Sequence, residues 1–209
     1  MAAKKRRTAS SARWLAEHEK DPFVQRSRKQ GYRSRAVYKL DEMHRKLQLL
    51  HRGMTVVDLG AAPGAWSQYA AQKIRDGRIV AVDLLDMEDL DKVDFVRGDL
   101  LDPAVRNRLK DKLGSGADLV LSDIAPNMSG IPSVDQARSI GLAEMALHFA
   151  VEVLKPGGNL LVKTFQGAGL DEFRHEMQLR FRKVGVQKPE ASRSRSRELY
   201  LYGSCLKEP

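Results

Sequence analysis

From Thr55 onward the chain alternates short β-rich runs with segments of helical period, and that alternation leaves few architectures open. The pattern predicts strands over 55–59, 78–83, 93–97, 117–122, 160–164, 184–187 and 198–202, and helices over 66–74, 103–112, 134–154 and 170–180. Continuous apolar runs such as Leu119-Val120-Leu121 suit strands covered on both faces. The expected fold is therefore α/β: a doubly wound, mostly parallel seven-stranded sheet with helices on both faces. No helix separates the last two runs, which predicts an antiparallel edge strand. At 209 residues the chain can enclose one substantial core.

In such sheets ligands bind beyond the carboxyl ends of the strands, where strand order reverses. The run Val56-Val57-Asp58-Leu59-Gly60-Ala61-Ala62-Pro63-Gly64-Ala65-Trp66 is a strand, a small-residue turn and a helix start. Gly60 permits the tight turn, Gly64 lets backbone approach a ligand, and the helix N-terminus offers free N–H groups to an anion. The dinucleotide fingerprint G-x-G-x-x-G fails here, because its middle glycine is replaced by Ala62 and Pro63 follows. No Gly-Lys-Ser/Thr follows either, so the run is not a phosphate-binding P-loop. Asp83 ends the second strand, at about the ~20-residue interval of an acid that grips ribose hydroxyls. Asp99 follows the third strand and can accept from an adenine amino group. Any one strand-end aspartate is as readily a turn cap. The ordered series Gly60/Gly64, Asp83, Asp99, Asp123 is harder to explain as caps alone.

Charge is distributed unevenly. Of 36 Lys/Arg and 27 Asp/Glu, twelve bases and three acids precede residue 40, so the whole net charge of +9 resides in the leader. Charge gathered in this way reads as a polyanion-binding arm, placed over 1–33, with a globular domain over 34–209; a solubilising tail or a targeting peptide is the alternative reading. Met1 to Ser11 lacks an apolar period and is expected to be disordered in isolation. Val37, Leu40, Met43, Leu47 and Leu50 then form a helix stripe, with Ser34 placed to cap it and Arg35, Lys39 and Glu42 together on its flank. A single cysteine, Cys205, excludes an intramolecular disulfide and is expected to be a packed thiol. Five scattered histidines offer no paired ligands, so no metal is expected. No apolar run reaches the ~18 residues of a membrane span, and a cytoplasmic monomer is expected.

Several motifs combine to carry a resemblance. They are Ser11-Ala12-Arg13-Trp14-Leu15, Arg33 to Ala36 with Tyr38-Lys39-Leu40-Asp41-Glu42, Asp58 to Gln68, Ser122 to Gly130, Lys163-Thr164-Phe165-Gln166-Gly167, and Ser192 to Glu198. On these the chain resembles the FtsJ/RrmJ family of ribosomal RNA 2′-O-ribose methyltransferases. The resemblance implies a Rossmann-like class I methyltransferase fold and S-adenosylmethionine as methyl donor. It also implies a Lys-Asp-Lys-Glu catalytic set at Lys39, Asp123, Lys163 and Glu198. The cofactor set it points to is Gly60, Ala62, Pro63, Gly64, Trp66, Asp83, Leu84, Asp99, Leu100 and Asp123. Ala65 departs from the glycine that many relatives carry, and is small enough to preserve cofactor binding. The implied substrate is a uridine of large-subunit (23S) ribosomal RNA, in the A-loop of the peptidyl transferase centre, methylated late in subunit assembly.

A ribose hydroxyl is a poor acid, so its proton must leave as the oxygen attacks. Lys163 is the expected base and Asp123 its orienting partner, with Lys39 and Glu198 positioning the ribose. A simple ion pair at the sheet edge is the alternative reading of Lys163 and Asp123. RNA is expected on Arg33, Arg35, Tyr38, Arg193, Arg195 and Arg197, with Tyr32 or Tyr38 stacking on unpaired bases. Cytosine C5 methylation needs a cysteine that this chain does not place after the fourth strand. Amino methylation usually brings an Asn/Asp-Pro-Pro-Tyr/Phe run, where Asp123-Ile124-Ala125-Pro126 stands. A non-enzymatic assembly factor, or a methyltransferase for transfer RNA or a messenger cap, are the rival functions.

Overall fold

The structure is a computed structural model describing residue 17 and residues 19–193 and 195–208. The segment Met1–Ser11 and the run 11–15 fall outside the described residues. Seven strands form one sheet: β1 (Thr55–Leu59), β2 (Arg78–Asp83), β3 (Val93–Arg97), β4 (Ala117–Ser122), β5 (Leu154–Phe165), β6 (Phe181–Gln187) and β7 (Glu198–Leu206). Their order is β3-β2-β1-β4-β5-β7-β6. The strands from β3 to β5 pair in parallel, while β7 pairs antiparallel with both β5 and β6. The antiparallel strand thus slots one place in from the edge, and β6 forms the rim. Sheet order reverses between β1 and β4, which puts the ligand crevice above their carboxyl ends.

Period-two alternation sends neighbouring residues of one strand to different layers. In β1, Val57 and Leu59 join one core and Val56 the other. The first layer is closed by α4 (Pro103–Leu113), α5 (Pro132–Val153) and α6 (Leu170–Arg180), the second by α2 (Val37–Leu47) and α3 (Ala65–Ile74). A short helix, α1 (Pro22–Lys29), precedes them; Asp21 caps it by accepting from the Phe23 N–H at 2.9 Å, with Pro22 at its first position. No described helix is long and apolar enough to cross a membrane.

Three local expectations change. Helix α2 begins at Val37 with no side-chain cap; Ser34 instead accepts from the Ala36 N–H at 3.2 Å, just ahead of the helix. Strands β5 and β6 begin directly at the ends of α5 and α6, several residues before their apolar runs, because backbone pairing continues where the apolar pattern stops. Cys205 is exposed and has φ 58°, so it is not a packed thiol.

Candidate active site

Two clefts open at the carboxyl end of the sheet. One, of about 430 Å³, is lined by Gly60 and Ala62 after β1, Asp83 and Leu84 after β2, Asp99 and Leu100 after β3, and Asp123 and Ile124 after β4. Gly60 is required twice over: its φ is +77°, and a Cβ there would stand 2.7 Å from the Ile124 side chain. Asp83 accepts from the Ala62 N–H at 2.9 Å and the Leu85 N–H at 2.8 Å, and Asp99 accepts from the Leu101 N–H at 2.9 Å. Both acids therefore cap their loops and face the cleft as well. The cap and ligand readings of these aspartates are compatible.

Pro63, Gly64 and Trp66 do not line this cleft. The Trp66 ring is buried, donates from Nε1 to the Ala36 carbonyl at 2.8 Å, and lies 5.8 Å from the Tyr200 ring. A Cβ at Gly64 would meet Arg33 Nη1 and Met87 Sδ at 2.8 Å, so the close approach it allows is to protein. These three residues back the glycine turn. Beneath them Asp58, fully buried, accepts from Ser67 Oγ at 2.6 Å, and burial pushes its carboxyl up to about 7.

The second cleft, of about 640 Å³, is lined by Arg35, Ala36, Lys39, Ala125, Pro126, Met128, Asp135, Gln136, Lys163, Phe165, Arg193, Arg195, Ser196, Arg197 and Glu198. It meets the first at the loop after β4, because Ala125 borders both. Lys163 and Asp123 stand at this junction. Lys163 Nζ is 3.2 Å from Asp123 Oδ1 and donates to the Asp123 carbonyl at 3.2 Å. Lys39 Nζ is 2.6 Å from Glu198 Oε1.

Strand pairing explains how residues so distant in sequence converge. In the β5/β7 ladder Lys163 faces Tyr200 and Phe165 faces Glu198. Tyr200, fully buried, donates from its hydroxyl to Asp123 Oδ1 at 2.7 Å, and Lys39 Nζ sits 5.9 Å above its ring. Burial drives the Asp123 carboxyl up, yet Lys163 and Lys39, with the hydrogen bonds from Tyr200 and Lys163, outweigh it and hold it below the ordinary range. Burial likewise opposes ionisation of Glu198, and Lys39 above all reverses the shift, so its carboxyl is also lowered. Each acid feels both lysines, which places all four groups in one electrostatic cluster. Tyr200 was not anticipated from sequence. Its spacing of two from Glu198 on a strand was the available signal.

The expected RNA contacts divide. Arg35, Arg193, Arg195 and Arg197 line the second cleft. Arg33 is turned away, because its guanidinium donates to the carbonyls of Pro63, Glu88 and Asp89 at 3.1, 2.7 and 2.9 Å, tying the glycine turn to the loop after β2. Tyr38 is 5% exposed, packs against Phe23 and Tyr32, and donates to Gln30 Oε1 at 2.8 Å, so neither face of its ring is open to a base. Glu42, on the same flank of α2 as Lys39, instead clasps the 190–191 backbone by accepting from the Glu190 N–H at 3.0 Å.

Residues 32–205 match the FtsJ-like methyltransferase family. Among solved structures, that of a provisionally assigned ribosomal RNA methyltransferase from Plasmodium falciparum is 27% identical. It covers 85% of this chain and 100% of its own, with a TM-score of 0.77. Sheet order, the crevice at its reversal point and the extent of the family match lead to one assignment: the chain belongs to the FtsJ-like methyltransferase family.

Proposed function

We propose that this protein transfers a methyl group from S-adenosylmethionine to a ribose 2′-hydroxyl of ribosomal RNA. The observation that carries this reading is the meeting of two clefts at Asp123 and Lys163. One cleft has the make-up of a nucleoside site, the other that of a site for a polyanion. In the first, Leu100, Ile124 and Met145 give apolar walls for an adenine, and the Asp83 and Asp99 carboxylates offer acceptors for hydroxyl or amino hydrogens. In the second, Arg35, Arg193, Arg195 and Arg197 match a phosphodiester chain.

S-adenosylmethionine, when bound, supplies a methyl group activated by its sulfonium centre. The protein's own residues hold the acceptor and move its proton. Lys163 is the general base for the 2′-hydroxyl proton, and the two contacts to Asp123 fix where its Nζ can stand. Lys39 and Glu198, paired across the mouth of the cleft, position the ribose. Asp123, kept ionised by the lysines and Tyr200, holds the cluster together, so much of the acceleration comes from alignment.

We assign the acceptor as a uridine of the 23S A-loop, modified late in large-subunit assembly by a cytoplasmic monomer. This finer assignment rests on the resemblance of the whole chain, with residues 1–33 as the basic arm. The provisionally assigned ribosomal RNA methyltransferase of Plasmodium falciparum supports the substrate class. The test is to incubate the protein with undermethylated large subunits and methyl-labelled S-adenosylmethionine, then digest the RNA to nucleosides. Label in 2′-O-methyluridine is expected. Label on a base, or only in transfer RNA or a cap offered in parallel, overturns the assignment.

A further inference from the structure

The second cleft gathers six lysine and arginine side chains, and among them stands one exposed thioether. Met128 is 66% exposed and borders the same space as Lys39 and Lys163. Exposure of a single apolar side chain is ordinary. Its placement is not, because among the described residues Met128 is the one large hydrophobic side chain bordering this cleft that stands exposed, beside cations that suit phosphate and sugar. A methionine sulfur and its methyl pack favourably against aromatic rings.

The loop that carries Met128 is fixed. Asp135, 6% exposed in the first turn of α5, accepts from the Ser129 N–H and Ser129 Oγ, both at 2.7 Å, and from the Gly130 N–H at 3.0 Å. Three bonds to one carboxylate are strong and directional. Its neighbour Gln136 donates to the carbonyls of Phe165, the last residue of β5, and Ala168, in the loop that follows, at 3.1 and 3.0 Å. One helix start therefore fastens both the loop bearing Met128 and the strand end bearing Lys163.

We propose that Met128 is the platform for the base of the acceptor nucleotide and that Asp135 is the positioning residue that presents it. The inference rests on the RNA-methylating reading above. Met128 meets a ring face and no hydrogen-bonding edge, so it registers the nucleotide along the cleft without selecting among bases. The base seated on it sets how deep the ribose enters toward Lys163.

The test uses the full-length protein and a large-subunit ribosomal RNA transcript. Met128→Ala should raise KM for the RNA about tenfold, equivalent to ~1.4 kcal/mol, with S-adenosylmethionine affinity unchanged. Met128→Leu should restore it. Asp135→Asn should reproduce the KM rise with Met128 still present, and speed amide exchange over 126–131. Irradiating a transcript that contains 4-thiouridine should crosslink the peptide holding Met128. A Met128→Ala protein with wild-type KM, or crosslinks that avoid 126–131 in a protein that methylates the transcript, overturns the inference alone. A wild-type protein that neither crosslinks nor methylates RNA overturns the functional reading beneath it.

Discussion

Asp58, buried beneath the glycine turn, makes stability depend on pH. Burial raises its carboxyl from 3.8 to about 7, the Ser67 bond offsets part of that rise, and the Asp123 charge adds to it. The folded protein thus keeps a proton that the unfolded chain releases near 3.8, so stability is full below that pH and declines up to and through 7. Between pH 6 and 8 the expected loss from this group is ~1.4 kcal/mol. Asp58→Asn should lack this component, so urea midpoints of wild type and variant should converge or cross over that interval; parallel curves would mean that Asp58 is ionised throughout. At the reaction centre two substitutions separate chemistry from placement. Lys163→Ala removes the proposed base and should lower kcat by ~10²–10⁴-fold, with cofactor affinity within a few-fold by calorimetry. Retained turnover would remove Lys163 from that role. Tyr200→Phe keeps the ring against Trp66 and deletes only the 2.7 Å bond to Asp123. One hydrogen bond to a charged acceptor is worth ~1.5–3 kcal/mol, so a ten- to hundredfold fall in single-turnover rate is expected, with an unchanged KM for S-adenosylmethionine. These groups were unequally legible in sequence. Lys39, Asp123, Lys163 and Glu198 could be named because each sits in a motif, whereas Tyr200 looked like one more apolar strand residue until the β5/β7 register put it opposite Lys163. Tyr38 and Lys39 are neighbours on α2, about 100° apart around its axis. Phe23 from α1 packs on the Tyr38 ring, and nothing within α2 records that contact.

At the scale of elements, β7 is the piece on which the site depends most, since it delivers both Glu198 and Tyr200 and is anchored on either side by antiparallel ladders. The sequence signalled an antiparallel strand through the missing helix between the last two apolar runs. It could not place that strand inside β6, because both positions satisfy the same local pattern and only long-range pairing separates them. Gly203 is the residue that lets β7 fit: a Cβ there would lie 2.7 Å from the Phe181 ring and 3.0 Å from Met177 Cε, both fully buried. Gly203→Ala should therefore destabilise the fold by ~1–3 kcal/mol through overpacking. Phe181→Leu opens space at the same spot, so the double variant should lose less than the sum of the two singles. Additive losses in chemical denaturation would show that the strand yields by moving elsewhere. The early half of the fold was easier to read. β1, its glycine turn and α3 are contiguous, and their periods switch from two to 3.6 within a dozen residues.

Across the whole molecule, charge organises how a polyanion would approach. The leader carries the net positive charge, yet two of its three acids are engaged with the arginines of the second cleft: Glu17 with Arg195 at 2.9 Å, and Asp21 with Arg35 at 2.9 Å and with Arg193 at 4.0 Å. Arg33 showed why composition alone misleads, because a residue that reads as a phosphate ligand spends its guanidinium on carbonyls up to 56 positions away. The Glu17–Arg195 pair is substantially exposed on both sides, and such pairs contribute ~0–1 kcal/mol. An entering phosphate can therefore replace Glu17 at little cost. Every cation removed from the phosphates of single-stranded RNA lowers the slope of log affinity against log salt by ~0.7. Replacing Arg195 and Arg197 together by Gln should thus reduce that slope by about 1.4 and weaken RNA binding at low salt. S-adenosylmethionine affinity should stay the same, since neither side chain borders the first cleft. Glu17→Gln should act in the opposite sense, tightening RNA binding by releasing Arg195. Nitrocellulose filter binding across a salt series reads both effects. An unchanged slope in the double arginine variant would mean that the chain of the nucleic acid follows another path over the protein.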